Sequence, residues 1–166
     1  MLLSSLYPLF LKCQGEHKKF TNLPNYEINP DIKIKRAFIG DKDLILSFIK
    51  ENFHNNWALE AEHSLMQDVS KCFVAVQNGK ILGFACYDAA AKGFFGPMGV
   101  LSSHRNKNIG KALLIRTLNA MKEYGYGYAI IGWVNDAQQF YKKTVNAEII
   151  KNATPENSVY SNFIFM

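Results

Sequence analysis

Three basic side chains, Arg105, Lys107 and Lys111, fall around a turn of small and polar residues in the stretch HRNKNIGKALL, residues 104–114. Charge at that density suits an anion, and a guanidinium can hold two phosphate oxygens at once. Gly110 would let a phosphate approach the backbone with no side chain in the way. The same residues would also make an ordinary solvated turn, so spacing alone leaves both readings open. Two well-known phosphate loops are excluded: Lys111 is followed by Ala112 rather than Ser or Thr, and no G-x-G-x-x-G occurs.

Such a cradle needs a strand before it and a helix after it. Phe94 to Leu101 is a β-rich run, and from Ile109 to Tyr124 the residues Leu113, Leu114, Thr117, Leu118 and Met121 recur on one helical face. A helix beginning at Ile109 leaves its first backbone N–H groups unpaired, facing the loop at the positive end of its dipole.

The other elements follow from the same periodicities. Ile32, Ile34 and Arg36 alternate in a first strand. Asp41 is a plausible N-cap for a helix with Leu44, Ile45, Phe48 and Ile49 on its inner face. Trp57, Ala61, Leu65 and Val69 form a second helical stripe, with Glu60, Glu62 and His63 beside it. Two β-rich runs flank Gln77-Asn78-Gly79-Lys80, a strong hairpin signal. Tyr128 to Val134 is a buried strand, Asp136 to Thr144 a short helix, and AEIIKNA and VYSNFIFM two closing strands. The order predicts an α/β (α+β) domain with a mixed sheet of about seven strands and about four helices. Residues 1–31, whose later part is polar and broken by Pro24 and Pro30, form an N-terminal arm or linker, and the domain spans 32–166.

VLSSHRNKNIGKALL resembles the pyrophosphate-binding motif of the GNAT superfamily of acyl-CoA-dependent N-acetyltransferases: Arg or Gln, two residues, Gly, one residue, then Gly or Ala. Arg105 takes the first place and Gly110 the last, while Asn108 stands where the first Gly is usual. NDAQQFYKKTVNAEII is similar to the family's helix with Phe-Tyr before a turn and strand. The resemblance covers about 32–166. It implies a mostly antiparallel sheet with a splay between the fourth strand, at Phe94 to Leu101, and the fifth, at Tyr128 to Val134. It also implies acetyl-CoA as co-substrate, with pyrophosphate on Arg105, Asn106, Lys107, Asn108, Ile109, Gly110 and Lys111, and the pantetheine arm and acetyl carbonyl on the backbone of Met98, Gly99 and Val100. Asn135 would contact the coenzyme, although it lies one residue from the family's usual place and could instead belong to a helix cap with Asp136. Asn108 is expected at positive φ, because Asn is the non-Gly residue that best tolerates that conformation.

Acetyl transfer to an amine needs a neutral nucleophile, a polarised thioester and a proton for the departing thiolate. Tyr141 matches the family's tyrosine near the coenzyme sulfur, and a phenol with a pKa of about 10 can supply that proton. Phe140 reads as packing. The strand carboxylate many relatives use as general base is missing from FFGPMGVL and YAIIGWV, which leaves Glu60, Glu62, His63, Asp88 or a water chain. Phe53, Trp57, Tyr87, Phe94, Phe95 and Trp133 are either core or the walls of an acceptor pocket. GYGYAIIGWV followed by FYKKTVNAEII resembles family members that include amino-sugar acetyltransferases, which favours a glucosamine-type small-molecule amine. A coenzyme-A-binding sensor or scaffold without turnover, and an acetyltransferase of protein or peptide amines, are the alternatives.

Composition narrows the partners. Lys plus Arg number 19 against 14 Asp plus Glu, a net charge of +5. That modest excess favours an anionic ligand without implying nucleic acid, since no basic block forms an arm. Cys13, Cys72 and Cys86 are three in number with no C-x-x-C, so neither a disulfide framework nor a metal site is expected, and a reducing cytoplasm fits. Met1 to Leu11 is apolar but lacks a basic flank and a cleavage site, contains Pro8 and is too short to span a bilayer. It is expected to stay in the mature protein, with no membrane span, and could pack across a homodimer.

Overall fold

In the computed structural model, which describes residues 11–13, 23–134, 137–162 and 164, seven strands form one sheet. In chain order they are β1 (Leu11–Cys13), β2 (Lys33–Arg36), β3 (Cys72–Gln77), β4 (Lys80–Tyr87), β5 (Phe94–Val100), β6 (Ala129–Ile131) and β7 (Glu148–Ile149). The helices are α1 (Lys42–Asn52), α2 (Asn55–Leu65), α3 (Ile109–Glu123) and α4 (Gln138–Val145). The spatial order is β2-β3-β4-β5-β6-β1-β7, antiparallel throughout except for the parallel β5–β6 pair.

The centre of the sheet grows from the expected hairpin. Asn78 (φ 49) and Gly79 (φ 76) both take positive φ, the demand of a two-residue turn that matches strand twist. Side chains then alternate across β3 and β4. Phe73, Ala75, Leu82 and Ala85 face α3, whose Leu113, Leu114, Leu118 and Met121 are buried against them. Cys72, Val74, Phe84 and Cys86 face α1 and α2 through Ile45, Ile49, Ala58, Ala61 and Leu65. Helices thus cover both faces, which is why the central strands read as continuous apolar runs. Each large side chain fully buried here is worth about 1.5–3 kcal/mol.

Several expectations shift. Leu44 is 59% exposed, because the arc of Ile45, Leu46 and Ile49 that meets the sheet leaves it outside. The second helix ends at Leu65, where the Lys71 N–H takes the Ser64 carbonyl at 2.9 Å and turns the chain into β3, so Val69 lies exposed beyond it. The strand expected over 128–134 is paired only at Ala129–Ile131. The closing strand expected in VYSNFIFM is replaced over Val159–Asn162 by a 3-10 turn. There the Ser158 and Asn162 side chains bond local backbone, which competes with a ladder. The place beside β6 is taken by Leu11–Cys13 from the N-terminal arm.

Candidate active site at the strand splay

Between β5 and β6 the ladder covers only Phe94↔Ile130 and Phe95↔Ile131. Past Phe95, β5 runs on to Val100 while β6 ends at Ile131, and the two separate into an open V. Phe94 offers its carbonyl to the Asp88 N–H and Leu101 its N–H to the Leu82 carbonyl, both on β4 or its extension. Residues an odd number apart face opposite sides of a regular strand, so the register shift between Ala85 and Tyr87, opposite Gly96 and Pro97, must reverse the parity. By the same alternation the N–H groups of Met98 and Val100 face away from β4, into the V. Arg105 Nε donates to the Val100 carbonyl at 3.4 Å, which fits that orientation.

The V opens on one side into a cavity of about 520 Å³ whose walls include Met98, Gly99, Val100, Arg105, Asn106, Asn108, Ile109, Gly110 and Lys111. His104, Phe53, Trp57, Ala137 and Phe140 complete it. Of the residues expected at a pyrophosphate, Lys107 alone does not line the cavity and is exposed; Asn135 lies outside the described residues. Asn108 has φ 59 and ψ 3, the left-handed conformation expected of it, and Asn106 has φ 61. No side chain caps α3: the Asn108 amide reaches instead to the Glu27 carbonyl at 3.3 Å. The first α3 N–H groups therefore remain available at the cavity wall. Lys111 Nζ sits 4.7 Å from the Tyr26 ring, so residues 26 and 27 of the arm flank the cradle. Phe140, expected to serve only in packing, forms part of the wall.

On the other side of the V lies a second cavity of about 350 Å³. Trp57, Phe94, Phe95, Trp133 and Tyr141 line it, joined by His54, Glu60, Gly132 and Tyr160. Phe53 belongs to the first cavity, and Tyr87 is buried in the core at 1% exposure. Tyr141 is buried, its ring 6.1 Å from Phe95. Tyr160 arrives from the C-terminal turn and stacks edge-on against Trp133 at 4.7 Å and Phe94 at 6.1 Å. Gly132 makes room for it, since a Cβ there would meet the Tyr160 ring and hydroxyl. Burial, with a contribution from Glu60, pushes the Tyr160 phenol up to about 12. Sequence gave no sign of Tyr160, whose place depends on packing between segments far apart in the chain. Trp57, Met98 and Ala137 line both cavities, which therefore meet at the V.

The four candidate bases separate by environment. Glu62 pairs with Lys42 at 2.9 Å. His63 has both ring nitrogens engaged, Nδ1 with the Ala89 carbonyl at 2.8 Å and Nε2 with Gln67 at 2.9 Å. Asp88 is buried and saturated, accepting from Lys71 at 2.6 Å, Tyr126 at 2.7 Å and the Gly93 N–H at 2.6 Å. Burial opposes its charge, but those donors prevail and hold its carboxyl below the usual range. Glu60 alone of the four lines the second cavity. Among the described residues no group of three or more His, Cys, Asp or Glu gathers where a metal could sit, and no helix is long and apolar enough to cross a membrane.

A family model described as an acetyltransferase (GNAT) domain matches residues 68–144, from the turn after α2 to the last turn of α4. The fold is similar to a GCN5-related N-acetyltransferase from Sphaerobacter thermophilus (TM-score 0.67, 17% identity, 89% of this chain and 50% of that one). It is also similar to a GCN5-related glucosamine N-acetyltransferase region of a fungal multi-domain β-N-acetylglucosaminidase (0.65, 15%, 89% and 20%). An aminoglycoside N-acetyltransferase in complex with CoA matches over 79% of this chain and 96% of its own (0.58, 16%). The chain thus spans half of the first of these proteins and a fifth of the second. No curated protein matches the sequence. The motif-bearing segment, residues 68–144, thus matches the GNAT acetyltransferase domain model, and the splayed, mostly antiparallel sheet shares the fold of these acetyltransferase structures.

Proposed function

We propose that this chain transfers the acetyl group of acetyl-CoA to the primary amine of a small molecule by direct attack. The meeting of the two cavities at the V carries this reading: a basic cavity on one side and an aromatic one on the other open onto the outward-facing N–H groups of Met98 and Val100. Arg105, Asn106, Asn108, Ile109, Gly110 and Lys111 hold the pyrophosphate, and Lys107 adds to the local field from outside the wall. The Met98 to Val100 backbone holds the pantetheine arm, and the Val100 N–H meets the oxygen on which negative charge develops. Tyr141 gives its proton to the departing thiolate. Asn135 completes the coenzyme contacts.

Trp57 and Trp133 line the second cavity, where indole rings suit a sugar, and one structural neighbour is named for glucosamine acetylation. An amino sugar such as glucosamine is therefore the preferred acceptor. The test is release of free thiol from acetyl-CoA by the purified protein over a panel of amino sugars, polyamines, amino acids and peptide amines. Turnover with a small amine is expected, with Tyr141→Phe lowering kcat by about 10²–10⁴-fold at unchanged coenzyme affinity. Tight coenzyme binding with no turnover on any amine would establish a sensor instead, and turnover confined to peptides would move the acceptor to protein amines.

A further inference from the structure

We infer that Glu60 is the general base of the acceptor site and that its solitary charge selects amines carrying one cation. The inference rests on the acetyl-transfer reading and deepens it. Glu60 stands on α2 one helical turn after Trp57, so the two side chains share a face and both reach the second cavity. Among the described residues it is the only carboxylate lining that cavity, whose other described walls are aromatic, aliphatic, histidine or glycine and proline backbone. No described lysine or arginine pairs with it. Among the described residues the ionisable groups around it are Tyr160 from the C-terminal turn, Cys86 from β4, Tyr141 across the cavity, His54 at the N-cap of its own helix and His63 on that helix. Glu60 is half-buried; a partly desolvated carboxylate without a cation carries a cost, and an incoming ammonium ion supplies the missing charge.

The proton steps balance. Glu60 takes one proton from the bound ammonium, freeing the nitrogen lone pair to attack the thioester carbon. The carbon–sulfur bond breaks, the sulfur takes the Tyr141 proton, and the new amide nitrogen sheds its second proton. Of the two protons lost by nitrogen, one restores Tyr141 through solvent and one leaves as the net product. Burial raises the Glu60 pKa, which brings a carboxylate nearer the strength its task requires. The base form exists above that raised pKa, so the rate climbs as pH rises through it. Among the described residues, a second or third cation on the acceptor would find no further carboxylate in the cavity wall.

The experiment compares wild type and Glu60→Gln for thiol release with glucosamine, 2-phenylethylamine and the polycationic aminoglycoside kanamycin, across pH, with coenzyme A affinity measured by calorimetry. Glu60→Gln should lower kcat by about 10²–10⁴-fold, leave coenzyme A affinity within about twofold, and move the acidic limb of kcat/KM up to the pKa of the amine itself. Wild type should favour the two monoamines over kanamycin by at least tenfold in kcat/KM. Glu60→Gln activity within about threefold of wild type with the limb unmoved, or a preference for kanamycin, overturns the inference. If Glu60→Gln loses coenzyme binding, the variant has misfolded; Glu60→Asp, keeping the charge one methylene back, and the wild-type ranking of amines then decide in the same way. Absence of turnover by wild type with every amine, while coenzyme A still binds, removes the acetyl-transfer reading and this assignment with it.

Discussion

Asn108 shows how one backbone angle joins fold to chemistry. Its φ of 59 lets the chain turn sharply from the basic loop into α3, and its side chain, released from capping, ties down the arm at Glu27. A residue with a Cβ and no local polar compensation is disfavoured there by roughly 1–2 kcal/mol. Asn108→Ala should therefore melt about 2–8 °C lower by thermal denaturation, and bind coenzyme A more weakly because the first turn of α3 is displaced. Asn108→Gly should keep the coenzyme affinity, since glycine adopts the same angles without strain. Equal affinities for the alanine and glycine variants would show that the left-handed turn is not what shapes the cradle. This conformation was legible in the sequence because residue type and motif position pointed the same way. The choice among the four bases was not, because it depends on which carboxylates find partners: Lys42 for Glu62, and Lys71 with Tyr126 for Asp88.

Between elements, Asp88 works as a clamp. It sits in left-handed conformation (φ 53) just after β4 and gathers Lys71 from the start of β3, Gly93 from the approach to β5 and Tyr126 from the link between α3 and β6. Lys71 is also stacked over the Tyr124 ring at 4.6 Å, while burial and Asp88 together raise the Tyr126 pKa. The clamp holds together the closed end of the V, opposite the end where the cavities open. Because the folded-state pKa of Asp88 is lowered, its contribution is complete above the unfolded carboxylate pKa and is lost as pH falls through the folded value. Asp88→Asn should cost about 3–5 kcal/mol at neutral pH by leaving Lys71 buried without a counter-charge, and should flatten the acid side of the stability profile measured by urea unfolding. A variant as stable as wild type would mean that water replaces the pair. Strands β3 to β5, with α3, were readable from pattern alone because both faces are buried and the Asn-Gly turn fixes their register. Element ends were less so. The paired part of β6 is shorter than its apolar run because the V requires Gly132 to Val134 to leave the ladder.

At the scale of the whole molecule, the N-terminal segment enters the middle of the far half of the sheet. Leu11, Lys12 and Cys13 pair antiparallel with Ile131, Ile130 and Ala129, while Leu11 and Lys12 also meet Ile149 and Glu148 of β7. The sequence predicts residues 1–31 as an arm or linker outside the domain, with no strand in the sheet. Pairing across more than a hundred residues leaves no local trace. The consequence is that β6, one arm of the V, is held on its outer side by β1 and on its inner side by only the two pairs at Phe94 and Phe95. Removing residues 1–13 should strip β6 of its outer partner and β7 of its link to the rest of the sheet, exposing an unpaired edge. The truncated protein is expected to melt about 5 °C or more below the full chain, to aggregate at lower concentration, and to lose affinity for coenzyme A as the arm of the V loosens. Melting, light scattering and calorimetry on the two chains side by side measure this. If the truncated chain matches the full one in all three, β6 holds the V open through β5 and the packing of α3 and α4 alone.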